Sequence, residues 1–327
     1  MAAPKPRPAP HRPEGALRDV ERPEGALQGI GRGVAAGVVA WAGMAGWALL
    51  GVVLLGLGAG ATPAAVALAV GGSAGISRDV VTGSISVLPL GVSLAGALLF
   101  AAVLTSWHRV AGAAAVFVAG LVTLPFLPAG QLDIRFWPTV LGGLGWLVVV
   151  LGARVATWWL PRVRRVIAVL MGAAGCSVVL GAVLSIPGGA RMLGTMVLAA
   201  PNLLCVALTR GLGVPWVVHG PDLPMPTIET GDVGPLALPV WPLAALAAVV
   251  IVLVAVFARW HTPWVVAVWF AAMAAFGGAA VDIGAGLFRL RLGVSGDVLV
   301  AAGAGLAAGS VACLLVAAGR YWHRQRT

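Results

Sequence analysis

Charge is what this sequence has least of. Only 10% of its 327 residues are Asp, Glu, Lys or Arg, where a soluble domain carries about a quarter. A globule of that composition could not cover its own surface in water, which excludes a soluble enzyme or a soluble binding module. Lysine is reduced to Lys5 and tyrosine to Tyr321. Of the 11 acidic residues, Glu14, Asp19, Glu21 and Glu24 sit near the N-terminus. Too few remain among the apolar segments for paired-carboxylate acid–base chemistry. The three cysteines, Cys176, Cys205 and Cys313, lie far apart in apolar runs and form neither a CxxC nor a disulfide framework. Ser/His/Asp sets, HExxH, Walker loops and GxGxxG are all missing. The sequence therefore assigns no catalytic residue, no metal and no cofactor.

What is abundant is apolar surface. Hydrophobic residues make up 60% of the chain and the mean hydropathy is +0.99. They come in runs near 20 residues, about the length that carries a helix across ~30 Å of hydrocarbon. The formal net charge of +10 gathers near the ends of these runs. There the expected partner is the anionic phospholipid headgroup, with other membrane proteins as a second class and nucleic acid as none.

The expected fold is all-α: a polytopic membrane helix bundle of about eight spans. They run over Gly33–Leu57, Ile85–Thr105, Val110–Leu127, Pro138–Ala156, Val166–Ile186, Leu238–Ala258, Trp264–Ala285 and Val298–Ala318. Two further apolar stretches are broken. Pro63–Gly75 is short and holds a Gly-Gly-Ser break, and Met192–Leu208 is interrupted by Pro201-Asn202. Whether Met192–Leu208 crosses is open. An eight-span layout places 15 of the 21 Lys and Arg inside, as cytoplasmic loops require, and puts the acidic loop of Asp222, Glu229 and Asp232 outside. Both termini are then cytoplasmic, in a bacterial plasma membrane. Residues 1–32 read as a disordered, basic, Pro-rich tail containing RPEGAL twice, and residues 319–327 as a short basic tail.

A repeat fits the same count. Leu88-Pro89-Leu90 through Trp107-His108 aligns with Trp241-Pro242-Leu243 through Trp260-His261 at a constant offset of 153, and Gly152-Ala153-Arg154 resembles Ala318-Gly319-Arg320. Residues 33–160 and 161–320 then form two parallel copies of four spans, each with one broken or re-entrant stretch. Such interruptions at matching places point to a midplane site in transporters. His108 and His261, each after a Trp, read as interfacial anchors.

The most distinctive segment runs from Pro201-Asn202 to Arg210-Gly211-Leu212-Gly213-Val214-Pro215-Trp216. Asn202 is polar in an apolar run, Pro201 removes a backbone donor beside it, and Gly-x-Gly-x-Pro permits a tight reversal. Two readings stay open: Asn202 caps a helix end, or it lines a cavity or partner groove. Asp282 is the one carboxylate placed near the bilayer, either as an ion or proton relay or as an interfacial partner of Arg289 and Arg291.

With Gly231-Asp232-Val233-Gly234-Pro235-Leu236, Leu238-Pro239-Val240-Trp241-Pro242-Leu243 and Leu88-Pro89-Leu90-Gly91, this segment resembles the streptophobe family of actinobacterial membrane proteins. It is more loosely similar to the PerM-like family. Val214-Pro215-Trp216 departs from the Gly-Pro-Gly-Phe arrangement that PerM-like proteins favour. The resemblance implies a polytopic membrane fold and, through the PerM-like family, an association with cell division. Two functions follow as expectations. One is a non-catalytic scaffold or stabilising partner in the envelope, and the other is a permease with its site at the broken helices. In a permease Asn202, Thr209, Arg210 and Asp282 converge on one cavity; in a scaffold they scatter.

Overall fold

The structure, a computed structural model, describes residues 23–78, 81–104, 107–159, 161–220, 240–258, 261–285 and 288–326. The loop of Asp222, Glu229 and Asp232, the first copy of RPEGAL and Arg259-Trp260 lie outside them. The chain is mostly helical. Among the described residues, six helical stretches are long and apolar enough to cross a membrane, starting at Gln28, His108, Phe136, Val163, Val240 and Val298. Ala59–Ala69, Leu90–Val103 and Thr262–Phe276 are shorter apolar helices. These are the dimensions of a multi-pass membrane protein.

The elements run α1 (Pro23–Leu55), α2 (Thr62–Ala69), β1 (Ala74–Arg78), β2 (Val81–Val87), α3 (Leu90–Val103), α4 (Trp107–Thr123), β3 (Asp133–Ile134) and α5 (Phe136–Trp159). Then come α6 (Pro161–Ser185), α7 (Gly189–Gly211), β4 (Trp216–His219), α8 (Val240–Ala258), α9 (Thr262–Phe276), β5 (Ala279–Ala285), β6 (Phe288–Gly296) and α10 (Val298–Arg326).

The helices form the expected membrane bundle, and strands that the sequence reading did not foresee are added to it. They form one antiparallel sheet in the order β3-β1-β2-β5-β6-β4. Its sequence cause is strict alternation. Thr82, Ser84 and Ser86 interleave with Val81, Ile85 and Val87, and Arg291 and Ser295 interleave with Leu290, Leu292 and Val294. A period of two gives each strand one apolar and one polar face. The expected spans Ile85–Thr105 and Trp264–Ala285 shorten accordingly, because their ends belong to β2 and β5. At the seventh span Gly277-Gly278 separates helix from strand. The tails also change. Helix α1 starts at Pro23, a residue suited to the first helical position, ten residues before Gly33, and α10 continues through the supposed tail to Arg326.

All strands lie at one end of the bundle, so they orient every helix. On the sheet side are the end of α1, the starts of α3, α5, α8 and α10, and the ends of α4, α6 and α9. Helix α7 differs, because it starts and finishes on that side. Its first turns pack on Gly51–Leu55 of α1, while its last residue, Gly211, meets Leu243 in the first turn of α8. Between those points it touches α3 and α6. It lies across the sheet-side part of the bundle, and its helix continues through Pro201 instead of breaking there.

Helix α7 and the sheet tie the halves together. β2 pairs with β5 over seven residues, Val81↔Ala285 to Val87↔Ala279. The first half is centred on Trp41, Phe100, Phe117 and Trp146, with Phe117 stacked on Trp41 at 5.1 Å and on Trp146 at 5.0 Å. The second is centred on Phe270, Val254 and Val266. At the offset of 153, Ala113 and Val266, Phe117 and Phe270, and Leu121 and Ala274 all fall in the core.

The Gly-Ala-Arg and Ala-Gly-Arg pair has a matching use. Arg154 Nε of α5 donates to Leu104 O, the cap of α3, at 2.9 Å. Arg320 Nη2 of α10 donates to Val256 O, in the last turn of α8, at 3.0 Å. Each arginine satisfies a carbonyl left open at a helix end and carries positive charge where the macrodipole is negative. Arg154→Leu is expected to cost about 1–2 kcal/mol by orphaning the Leu104 carbonyl, and Arg320→Leu, which is exposed, about 0.5. Thermal melts of both variants in detergent check that order.

Candidate functional site

The distinctive segment folds into a junction of α1, α3, α7 and β4. Pro201 has no N–H to give to Val197 O, four residues back. That bared carbonyl is taken by Trp47 of α1, whose Nε1 donates to it at 3.0 Å. One residue on, Asn202 reaches α3. Its Nδ2 donates to Leu88 O at 2.7 Å and its Oδ1 accepts from Leu90 N at 3.0 Å. Leu88 O can only accept and Leu90 N can only donate, so the carboxamide has one possible orientation. The side chain thus straddles Pro89 and caps the start of α3 from 112 residues away. Of the two readings for Asn202, the helix cap is the observed geometry.

Close approach makes this possible. A Cβ on Gly91 would lie 2.2 Å from Val197 O, and one on Gly211 would lie 2.3 Å from Leu243 O. Both contacts are with backbone, which cannot swing away. At the far end of α7, Gly213 takes φ +78°. Gly213 N donates to Arg210 O at 2.8 Å and Val214 N to Thr209 O at 3.1 Å. This is a Schellman stop, with Val214 buried and Pro215 preventing continuation. Arg210 lies in the last turn of α7, where a cation favours the dipole. Thr209 Oγ1 donates to Cys205 O at 2.7 Å and accepts from Trp216 Nε1 at 3.0 Å, which fixes β4 against the helix.

Asp282 is elsewhere. It sits in β5, opposite Ser84 on one side and Arg291 on the other, with Oδ2 3.2 Å from Arg291 Nε. Of the two readings for Asp282, the pairing with arginine is the observed geometry: it is a strand residue on the sheet's polar face, three positions beyond the base of β5. Pro201, Asn202, Arg210, Gly211, Gly213 and Pro215 are brought together in the junction, and Asp282 is not among them. The sequence reading missed Trp47, Gly91 and the Thr209–Trp216 bond. Only Gly91 left a signal, as a small residue just after the Pro-Leu that begins α3.

Nothing in the junction pairs a nucleophile with a base. Among the described residues no group of three His, Cys, Asp or Glu could hold a metal ion. Open space is found instead on the sheet. One cleft of about 410 Å³ includes Ser86, His219, Arg291 and Ser295, and another of about 310 Å³ includes Thr82, Ser84, Arg135, Asp282 and Arg291. No protein-family model, no curated protein and no solved structure matches the chain, so the junction and the clefts are read from their own geometry.

Proposed function

We propose that this chain is a non-catalytic scaffold or stabilising protein of a bacterial plasma membrane. In this reading it crosses the bilayer eight times, with both tails in the cytoplasm and the sheet outside. The crossings are α1, α3, α4, α5, α6, α8, α9 and α10, in two parallel groups of four. The extra apolar helix of each group, α2 or α7, fills depth beside the short α3 and α9. Charge supports the orientation: Arg32, Arg109, Arg154, Arg164, Arg165 and Arg320 gather at the helix ends away from the sheet. The segment Pro201–Trp216 and its resemblance to the streptophobe and PerM-like families motivate a place in envelope growth or division.

The observation that carries the reading is where polar side chains go. Asn202 is used up as the cap of α3, Thr209 binds Trp216 and its own helix, and Asp282 pairs with Arg291 on the sheet. A permease needs polar groups facing a shared path, and intramembrane polar residues otherwise serve packing. On its apolar face the sheet exposes Ile283 and Leu292 beyond the helices, a surface on which another envelope protein can rest.

A photoreactive amino acid at Ile283 or Leu292 in living cells is expected to give one discrete protein adduct. The same residue at lipid-facing Val148 should give none. Solute uptake by proteoliposomes that disappears in Asn202→Ala, without adducts at the sheet, would favour the permease instead.

A further inference from the structure

On the polar face of the sheet one row of residues crosses four strands: Ser86 of β2, Ala280 of β5, Gly293 of β6 and His219 of β4. Neighbouring strands lie about 4.8 Å apart, so the row is roughly 14 Å long. Its two inner members carry almost no side chain. The next row toward the strand tips is Ser84, Asp282 and Arg291, with Arg291 held by Asp282. The next row toward the helices holds Ser295 and Val217. Between them is a trough, the cleft of about 410 Å³ whose lining includes Ser86, His219, Ala280, Arg291, Gly293 and Ser295. That volume falls within the range of small-ligand pockets.

Gly293 is the informative residue. It lies inside β6, in a ladder without a bulge, and its φ is not left-handed, so no backbone conformation requires glycine there. A Cβ on it would meet nothing nearer than 3.5 Å, so no neighbour requires it either. At Gly91 and Gly211 the opposite holds, because backbone of this chain fills the space. A glycine inside a strand weakens it, and often marks a place where a ligand or another backbone comes close. In the trough that approach is left to something outside the chain.

Shape and rim narrow the occupant. An extended peptide adds along a strand edge, where backbone groups are open to pair; this trough runs across strands whose ladder bonds are already made. An acyl chain would cover the hydroxyls of Ser86 and Ser295 without offering them partners, which is costly. A flat ring with hydroxyls on its rim meets both demands. Its C–H face rests on Ala280 and on the backbone of Gly293. Its hydroxyls donate and accept, as do a serine hydroxyl and a neutral imidazole. Ser86, His219 and Ser295 are all exposed, so a ligand can reach them from outside.

We propose that this trough binds a saccharide ring, with Ser86 at one end, His219 at the other, Ser295 on the helix side and Gly293 beneath. A free saccharide and the sugar headgroup of a glycolipid offer the same ring chemistry. The inference goes beyond the scaffold reading and does not depend on it.

Saturation-transfer NMR of the full chain tests it, in phosphatidylglycerol nanodiscs prepared without sugar-based detergent. The probes are maltose and sorbitol, an acyclic polyol with hydroxyls but no ring. Wild type is expected to transfer saturation to maltose and not to sorbitol. Gly293→Val fills the trough and should abolish the maltose signal, yet melt no lower than wild type, because β-branched residues suit strands. Ser86→Ala, which removes only an exposed hydroxyl, should weaken maltose binding on the order of fivefold, the effect of one neutral hydrogen bond. Gly83→Ala, opposite Ile283 on the apolar face, should bind as wild type does. No maltose signal in wild type, equal signals from maltose and sorbitol, undiminished binding in Gly293→Val or Ser86→Ala, or an equal loss in Gly83→Ala would overturn the proposal. Nanodiscs that also contain glucosyl diacylglycerol separate the two sources. Suppression of the maltose signal by that lipid assigns the trough to a glycolipid headgroup, and an unchanged signal assigns it to a free saccharide.

Discussion

Replacing Asn202 with alanine is expected to destabilise the protein by about 2–3 kcal/mol, more than any other polar substitution in the bundle. The substitution orphans Leu90 N and Leu88 O together. Interhelical hydrogen bonds in membranes average only about 0.6 kcal/mol, because the unfolded chain also finds partners. The larger figure rests on the cost of leaving two groups unsatisfied, about 1–3 kcal/mol each, reduced because the site is only part-buried. Asn202→Asp separates the two bonds. It can still accept from Leu90 N but cannot donate to Leu88 O, and it adds charge in an apolar run, so it should not rescue. Detergent melts followed by circular dichroism measure both. An alanine variant within about 0.5 kcal/mol of wild type would mean that the cap carries little.

Gly91→Ala should be as damaging, for a steric reason. The added methyl would lie 2.2 Å from Val197 O and 2.9 Å from Leu198 O, far inside contact distance, and neither oxygen belongs to a side chain that can turn aside. Helices α3 and α7 must separate, so the overpacking cost of about 1–3 kcal/mol is joined by strain on the Asn202 bonds and on Trp47. Gly145→Ala is the control, since a Cβ there meets nothing within 4 Å. Because Gly91 and Asn202 act on the same contact, the double variant should fall short of the sum of the single effects by at least about 0.5 kcal/mol. Strict additivity would place them in separate interactions.

These two residues also mark how far the sequence can be read. Pro201-Asn202 is visible as an anomaly in an apolar run, and so is the choice between cap and cavity. The partner is not visible, because Leu88–Leu90 is joined to Asn202 only by the folding of α3 against α7. Likewise Pro201 announces a bared carbonyl, but nothing in the sequence selects Trp47 among thirteen tryptophans. The Schellman stop at Gly213 is local and was legible from Gly-x-Gly-x-Pro. Long uncharged runs gave α1, α5, α6, α8 and α10 within a few residues, apart from the extra turns of α1 and α10.

The sheet was hidden for a different reason. A reading that sums hydropathy over about 20 residues averages away a period of two, so Val81-Thr82-Gly83-Ser84-Ile85-Ser86-Val87 merges into the next span. By hydropathy Arg289 and Arg291 read as loop charges, yet their alternation with Leu290 and Leu292 is itself a strand signal. β3, only two residues long, leaves no such pattern. The course of α7 could not be read either. A run of about 17 apolar residues is at the limit for crossing, and it is the pairing of β4 with β6 that returns the chain to the side where α7 began.

That return is the central claim, and cysteine labelling tests it most directly. Single cysteines at Ile186, before α7, and at Val217, after it, are both exposed positions, and Gln325 at the end of α10 is exposed as well. In intact cells a membrane-impermeant maleimide is expected to label Ile186→Cys and Val217→Cys, and to reach Gln325→Cys only after permeabilisation. Labelling of Ile186→Cys and Val217→Cys from opposite faces would mean that α7 crosses the membrane, and would contradict the account.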